Sequence, residues 1–375
     1  MLKIKYPKEP KDLLKFEESY YLCLDKSRQQ EIDKHLANLL HNGEILTLKI
    51  LVKLSFDELI DIEPRFVTYC KTRDKIITKK KKQVYVNDFL ELFNYKKNQP
   101  SIAAFFMRQN SFKLNVCHYC GIDYVNAFKD IEDYQDGKHF INKASIRDLQ
   151  YIKGIGSVTA NSIISNRPYS NVSELKCSKT IKKVINDFNF SNSHNHFTLD
   201  HVLPQKTHRF YSLCLYNLVP SCYSCNSKFK GFMSFKINND LKNVSPTSGS
   251  YSLNDDFRFQ IYYPNIKFND IKDVSEFVLE RKIFRNNNHL ENYFEMFKIG
   301  GRYSFQKVQI LSLIENKINY PPSKIRELSK KTGLSINEIN KRIFGKELFN
   351  ESFSNQPMIK LKRDVAKNIK IKGVI

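Results

Sequence analysis

Two short cysteine pairs constrain this chain more than any other feature: Cys117 and Cys120 in "VCHYC", and Cys222 and Cys225 in "SCYSC". A CxxC turn lets two sulfurs face one point while backbone N–H groups support them, and two such turns supply the four thiolates of a tetrahedral zinc site. One CxxC is shared with thiol-redox motifs; two of them flanking a single dense polar stretch favour a structural metal. All four ligands would be sulfur, so the site would be closed and would hold the fold rather than catalyse. About a hundred residues separate the pairs. The sulfurs can still meet if a folded insert lies between, and residues 113–235 then read as one domain. The remaining cysteines, Cys23, Cys70, Cys177 and Cys214, stand alone and read as small buried apolar side chains.

The polar stretch is "FTLDHVLPQKTHRFYSLCLYNLVPSCYSCNSKFKG", Phe197 to Gly231. "FTLDH" reads as a strand ending in Asp200 and His201. "LCLYNLVP" reads as a second strand containing Asn217. Ser221 can cap a helix that begins at "CYSCNSKFKG" and carries Asn226 on an early turn. Hydrolysis of a phosphodiester needs an activated water, a neutraliser for the phosphate and help for the departing oxygen. A histidine near its ordinary pKa takes a water proton at neutral pH. A divalent cation held by a carboxylate and an amide oxygen can bind the phosphate and the leaving oxygen. Singly, each residue has a plainer reading: a surface Asp-His pair, a turn asparagine at 217, a helix-cap asparagine at 226. His208 reads as a solvated loop histidine.

In order and spacing, Asp200-His201, Pro204, Asn217 and "NLVPSCYSCN", with nine residues from Asn217 to Asn226, resemble the HNH nuclease motif in its ββα-metal form. The cysteine pairs resemble those of the four-cysteine, zinc-bearing branch of that superfamily. The resemblance implies that His201 is the general base, and that Asp200 and Asn226 hold a catalytic magnesium or manganese ion. It also implies that Asn217 holds the loop orienting His201, and that a lysine stands near the phosphate, with Lys230 favoured over Lys228.

Between the first CxxC and "FTLDH" lies "FINKASIRDLQYIKGIGSVTANSIISNRPYSNVSELK", Phe140 to Lys176, within an insert placed at 140–190. Ile146, Leu149 and Ile152 fit one helix face, and Ala160, Ile163 and Ile164 fit a second beyond the Gly154-Ile155-Gly156 turn. This resembles a helix-hairpin-helix. The resemblance implies that Gly154, Gly156 and Ser157 contact the phosphate backbone of duplex DNA without reading sequence. Such a hairpin can also serve only in packing or a protein contact.

Lys+Arg is 61 and Asp+Glu 39, so the formal charge is 61 − 39 = +22. That excess favours a polyanionic partner, although a Lys-, Asn- and Ile-rich chain also follows from an AT-rich genome. "MLKIKYPKEPKDLLKFEE" has no apolar signal-peptide core, and no apolar run spans a bilayer, so the expected location is cytoplasmic, with no membrane partner. Residues 1–112 read as a helical region, with Gly43 as a C-cap, Pro64 limiting a helix and Lys79–Lys82 as a solvated loop. Residues 236–375 read as mainly helical, with a loop and strands first and helices from 270 to 350. Within them Ser323–Gly345 forms two short helices about "TGLS", taken as a supporting bundle.

The expected fold is therefore α+β and mostly helical: a ββα-metal core, an inserted helix-hairpin-helix, and flanking helical regions. The expected function is metal-dependent hydrolysis of DNA. The plan is also similar to bacterial HNH proteins found with anti-phage defence, some beside an ATPase, which implies a partner ATPase or other defence protein. Two alternatives stand: a zinc-stabilised nucleic-acid-binding or scaffold protein without turnover, and a nuclease that cleaves RNA.

Overall fold

Leu59, Ile62, Phe66 and Cys70 recur at helical spacing, and all four are buried on the helix Phe56–Lys71. Ser55 starts it with a capping box to Glu58. The helix runs through Pro64, which the sequence reading made its limit. An interior proline costs about 3 kcal/mol, whereas burying each large apolar side chain returns about 1.5–3 kcal/mol. Residues on both sides of Pro64 are buried, so packing outweighs the lost hydrogen bond.

The computed structural model describes residues 1–375 except 73–74, 80–81, 87, 109–113, 188–192, 232, 286–287 and 352–354, and gives only backbone at 75–79, 82–86, 88 and 193. The fold is α+β with about 53% helix, and every sheet among the described residues is a pair of strands. Among those residues no helix is long and apolar enough to cross a membrane.

The chain divides into two compact units. One joins Met1–Asn126 to Phe197–Ile375, and the other is Ala127–His196. The larger unit has one continuous apolar core, from Met1 and Phe16 through Phe106, Leu218 and Tyr293 to Val365. The smaller has its own core, built on Phe140, Leu149, Ile152, Ala160 and Ile163.

Gly43 is not a helix cap. Asn42 and Gly43 both have positive φ, +50° and +83°, between the paired strands Leu40–His41 and Glu44–Ile45. Two such residues make the hairpin turn whose twist suits the flanking strands, and the preceding helix ends at Leu36. The lysine run falls on the paired strands Lys75–Lys79 and Lys82–Val86. Residues 80 and 81, and the side chains of the run, lie outside the described residues.

The region 270–350 also contains a strand, Val278–Ile283, paired antiparallel with Phe257–Tyr262. Phe257, Phe259 and Ile261 alternate inward on the earlier strand. Its outer edge is covered by the helix Ile359–Asn368: the Asp364 carboxylate accepts from Phe259 N at 3.1 Å, and Asn368 Oδ1 accepts from Ile261 N at 3.1 Å. The pair of helices about "TGLS" is present, as Pro322–Thr332 and Ile336–Phe344. Gly333 joins them at φ +71°, and Ser335 caps the second through Glu338 N.

Candidate metal cluster and acid–base site

The two CxxC turns meet. The sulfurs of Cys117, Cys120, Cys222 and Cys225 all lie within 4.8 Å of one another, and all four residues are buried. Four sulfurs arranged tetrahedrally about 2.3 Å from one zinc stand roughly 3.8 Å apart. The donor set and its closeness therefore fit a structural metal such as zinc. Backbone N–H groups support the knuckles, from Ile122 N to Cys120 Sγ and from Cys225 N to Cys222 Sγ, each at 3.4 Å.

Arg302 closes the outer side. Its guanidinium donates to Cys225 Sγ at 3.2 Å, to Cys120 Sγ at 3.4 Å and to the Asp123 carboxylate at 2.7 Å. Burial works to lower its pKa, but the negative sulfurs of Cys120 and Cys225 prevail and raise it. Four thiolates around a doubly charged ion would leave two negative charges, and Arg302 stands where it would compensate part of that. Residues late in the chain also grip the first knuckle. Phe297 stacks on Tyr119 at 4.5 Å, and Tyr303 Oη donates to Cys120 O at 2.6 Å. "GGRYS" carries no motif that would single out Arg302 from sequence.

Beside the cluster, strand Thr198–His201 pairs antiparallel with strand Leu218–Ser221, in the register Thr198↔Ser221 to His201↔Leu218. Asn217 precedes the second strand on a 3-10 turn, Leu215–Asn217, rather than lying within it. Its side chain explains the turn. Asn217 Oδ1 accepts from Leu203 N at 2.7 Å, and Nδ2 donates to Leu203 O and Tyr211 O, both at 3.1 Å. One buried amide thus ties both ends of the loop that follows His201. Replacing it with alanine leaves Leu203 N and Leu203 O unpaired and removes one of the two donors to Tyr211 O. The expected cost is about 3 kcal/mol, read as a lower midpoint in chemical denaturation; a change below about 1 kcal/mol would show that the loop does not depend on this amide.

The segment after the second strand is a π-helix, Ser224–Lys230, and Ser221 does not cap it. Ser221 stays in the strand, where its hydroxyl meets Thr198 O at 3.4 Å. The wider turn carries Lys230 inward. Lys230 is 3% exposed, and its Nζ donates to Asp200 Oδ2 at 2.6 Å and to His201 O at 2.5 Å. Lys228 is exposed. The same Asp200 oxygen accepts from Tyr119 Oη at 2.5 Å, so a residue inside the first CxxC joins the cluster to the acidic group. Burial, then the Asp200 charge, raises the Tyr119 phenol well above its ordinary value, so it donates.

His201 is 8% exposed. Its Nε2 lies 3.0 Å from Ser212 O, and a carbonyl can only accept, so Nε2 carries the proton and Nδ1 the lone pair. Tyr95 packs edge-on against the ring at 4.5 Å. Burial pulls the imidazole down to about 4, keeping it neutral at pH 7. Asn226 is half-buried on the π-helix, and its side chain makes no hydrogen bond among the described residues. Asp200 and Lys230 are thus paired directly, Lys230 also reaches the backbone oxygen of His201, and Asn217 pins the loop that follows; among the described residues no hydrogen bond joins the His201 imidazole or the Asn226 side chain to them. His208 is buried rather than solvated: its Nε2 contacts Glu63 Oε1 at 3.0 Å, tying the loop to the helix Phe56–Lys71.

In the smaller unit the expected hairpin forms from helices Ile146–Gln150 and Ser157–Ser165. Leu149 and Ile152 are buried but Ile146, at the start of its helix, is 43% exposed, so it does not join the inward face expected of it. Gly154 holds φ +100°, a conformation open to glycine, and an added Cβ there would stand 3.1 Å from Ile181 Cδ1. Gly156 precedes the second helix, and Gly154, Gly156 and Ser157 are all exposed.

A family model for the helix-hairpin-helix motif matches residues 140–185. The helix-hairpin-helix is a nucleic-acid-binding type of motif, and its presence here suggests nucleic-acid binding. No HNH nuclease family model matches the chain. No curated protein and no solved structure matches it either.

Proposed function

We propose that the chain is a zinc-stabilised HNH-type endonuclease that hydrolyses DNA. The observation that carries this reading is the Asp200–His201 pair at a strand end, with its following loop pinned by Asn217 and its carboxylate linked through Tyr119 to a buried four-cysteine cluster. The matched hairpin supplies backbone binding, and the charge of +22 favours a polyanion. An anti-phage role beside a partner ATPase or other defence protein, in the cytoplasm, belongs to the same proposal and rests on the resemblance alone.

In this reading zinc occupies the sulfur cluster. His201 Nδ1 accepts the proton of the attacking water, while Nε2–H holds the ring on Ser212 O. Tyr119 fixes the Asp200 carboxylate through Oδ2, and the Lys230 ammonium beside it supplies positive charge near the phosphate. The hard oxygens of Asp200 and Asn226 suit magnesium or manganese, which when bound would polarise the phosphate and stabilise the leaving oxygen.

The test is conversion of supercoiled plasmid to nicked or linear forms, with and without magnesium or manganese. Asp200→Asn should lower the rate at least about a hundredfold. Equal cleavage by this variant would remove the carboxylate from the mechanism. One observation favours a second reading, in which the chain binds nucleic acid without turnover: Lys230 already neutralises Asp200 inside the protein. That reading is selected if plasmid binds but stays uncut under every metal. An RNA substrate is the outcome if transcripts are cut and plasmid is not.

A further inference from the structure

The His201 ring is gripped on two sides by residues that brace each other. Its Nε2–H donates to Ser212 O at 3.0 Å. Tyr95, 7% exposed, packs against the same ring with centroids 4.5 Å apart and planes at 80°. Tyr95 opens the helix Tyr95–Arg108, far upstream of the histidine in sequence. Ser212 Oγ donates to Phe93 O at 3.2 Å, and Tyr95 N donates to the same carbonyl at 3.0 Å. The contacts therefore close a circuit: His201 to Ser212, Ser212 to Phe93, Phe93 to Tyr95, and Tyr95 back to the imidazole. Ser212 and Phe93 are fully buried, so water does not compete for these groups.

A single hydrogen bond fixes one point of an imidazole and leaves the ring free to swing about the N–H···O line. A second ring packed nearly at right angles removes that freedom. Aromatic pairs favour this edge-to-face arrangement, because a positive ring edge meets a negative ring face. What remains is one tautomer and one orientation, with the Nδ1 lone pair held in a fixed direction. The Tyr95 hydroxyl is not the anchor: Oη is buried and makes no hydrogen bond among the described residues. The aromatic ring and the backbone N–H hold the place. The plainer reading is that Tyr95 is a core side chain like Phe89 and Phe93, which also meet edge to face. Replacing such a residue costs stability alone, whereas the circuit ties Tyr95 to the state of the imidazole.

We propose that Tyr95 is a positioning residue for the general base, holding the His201 imidazole in the Nε2–H tautomer and in the orientation that presents Nδ1 to the attacking water. The effect on rate rests on the nuclease reading; the effect on the ring does not. His201 stands after the first CxxC, yet part of its support comes from segment 93–95 in the helical region before it. That region is therefore part of the active site.

The experiment compares the full chain with Tyr95→Leu and Tyr95→Phe at equal zinc content. Tyr95→Met, whose flexible thioether fills the same space, takes the place of Tyr95→Leu if the leucine variant loses zinc. Plasmid cleavage with manganese gives kcat and KM. Long-range 1H–15N spectra of 15N-histidine-labelled protein show which imidazole nitrogen carries the proton, and the His201 signal is the one missing from His201→Ala. Wild type should show the Nε2–H form alone. Tyr95→Leu should populate both tautomers and lower kcat about 10- to 100-fold, because small misplacements of a reacting group are costly. Its KM should change less than about twofold. Tyr95→Phe keeps the ring, so it should restore the single tautomer and stay within about threefold of the wild-type kcat. The proposal is overturned if Tyr95→Leu leaves the tautomer unchanged, if its loss appears in KM rather than kcat, or if Tyr95→Phe is as impaired as Tyr95→Leu. If wild type does not cut plasmid, the spectra decide alone: failure of the nuclease reading leaves the tautomer difference in place, and failure of this proposal removes it.

Discussion

Replacing Cys222 with serine is expected to release the bound metal and to lower the thermal midpoint of the protein by about 10 °C or more. Binding of structural zinc by four sulfurs is worth on the order of 10 kcal/mol at neutral pH, and each kilocalorie shifts the midpoint of a domain of this size by about 2 °C. The cluster also lies at a junction. Cys117 and Cys120 precede the smaller unit in sequence, Cys222 and Cys225 follow it, and Arg302 and Tyr303 reach the same knuckles from farther along the chain. Losing one sulfur therefore loosens three segments at once and exposes the Arg302 guanidinium to a broken partner set. Metal content by mass spectrometry should read one zinc per wild-type chain and much less in the variant. An unchanged midpoint with zinc retained would mean that the cysteines are merely buried thiols.

The cluster was legible in the sequence because CxxC turns announce their geometry locally and only the distance between them was open. The Asp200–His201 strand was legible for a similar reason: its residues are short-range neighbours and its partner strand follows within one loop. What failed was anything decided by packing elsewhere. Pro64 looked like a helix end because local rules cannot weigh the buried residues on both sides of it. Gly43 looked like a cap because the hairpin it turns has strands of only two residues each. Lys230 was favoured over Lys228 without a geometric reason, which only the π-helix supplies by turning Lys230 toward Asp200. Tyr119 stood in plain view between two cysteines, but its bond to Asp200 spans 81 residues of sequence. Tyr95 and Arg302 carry no local signal at all; each matters only through the ring or sulfurs it meets.

Loss of the His201 imidazole carries the second large effect. A positioned general base contributes about 10²–10⁴-fold to rate, and His201→Ala should lose a factor in that range while keeping plasmid binding. The alanine leaves Ser212 O without its donor and a small void beside Tyr95, so His201→Gln, which can still donate a hydrogen bond, separates lost chemistry from lost packing. The pH profile adds a second signature. An exposed histidine is mostly protonated at pH 5.5, but burial holds His201 at about 4. Its base form persists down to that region, so cleavage should continue at pH 5.5 and fail only as the pH approaches 4.

The most direct measurement places wild type and His201→Ala side by side on supercoiled plasmid, at equal zinc content and equal binding, with manganese or magnesium present and then withheld. The account predicts nicking or linearisation that needs both the divalent cation and the histidine. Cleavage by the alanine variant at the wild-type rate would contradict it.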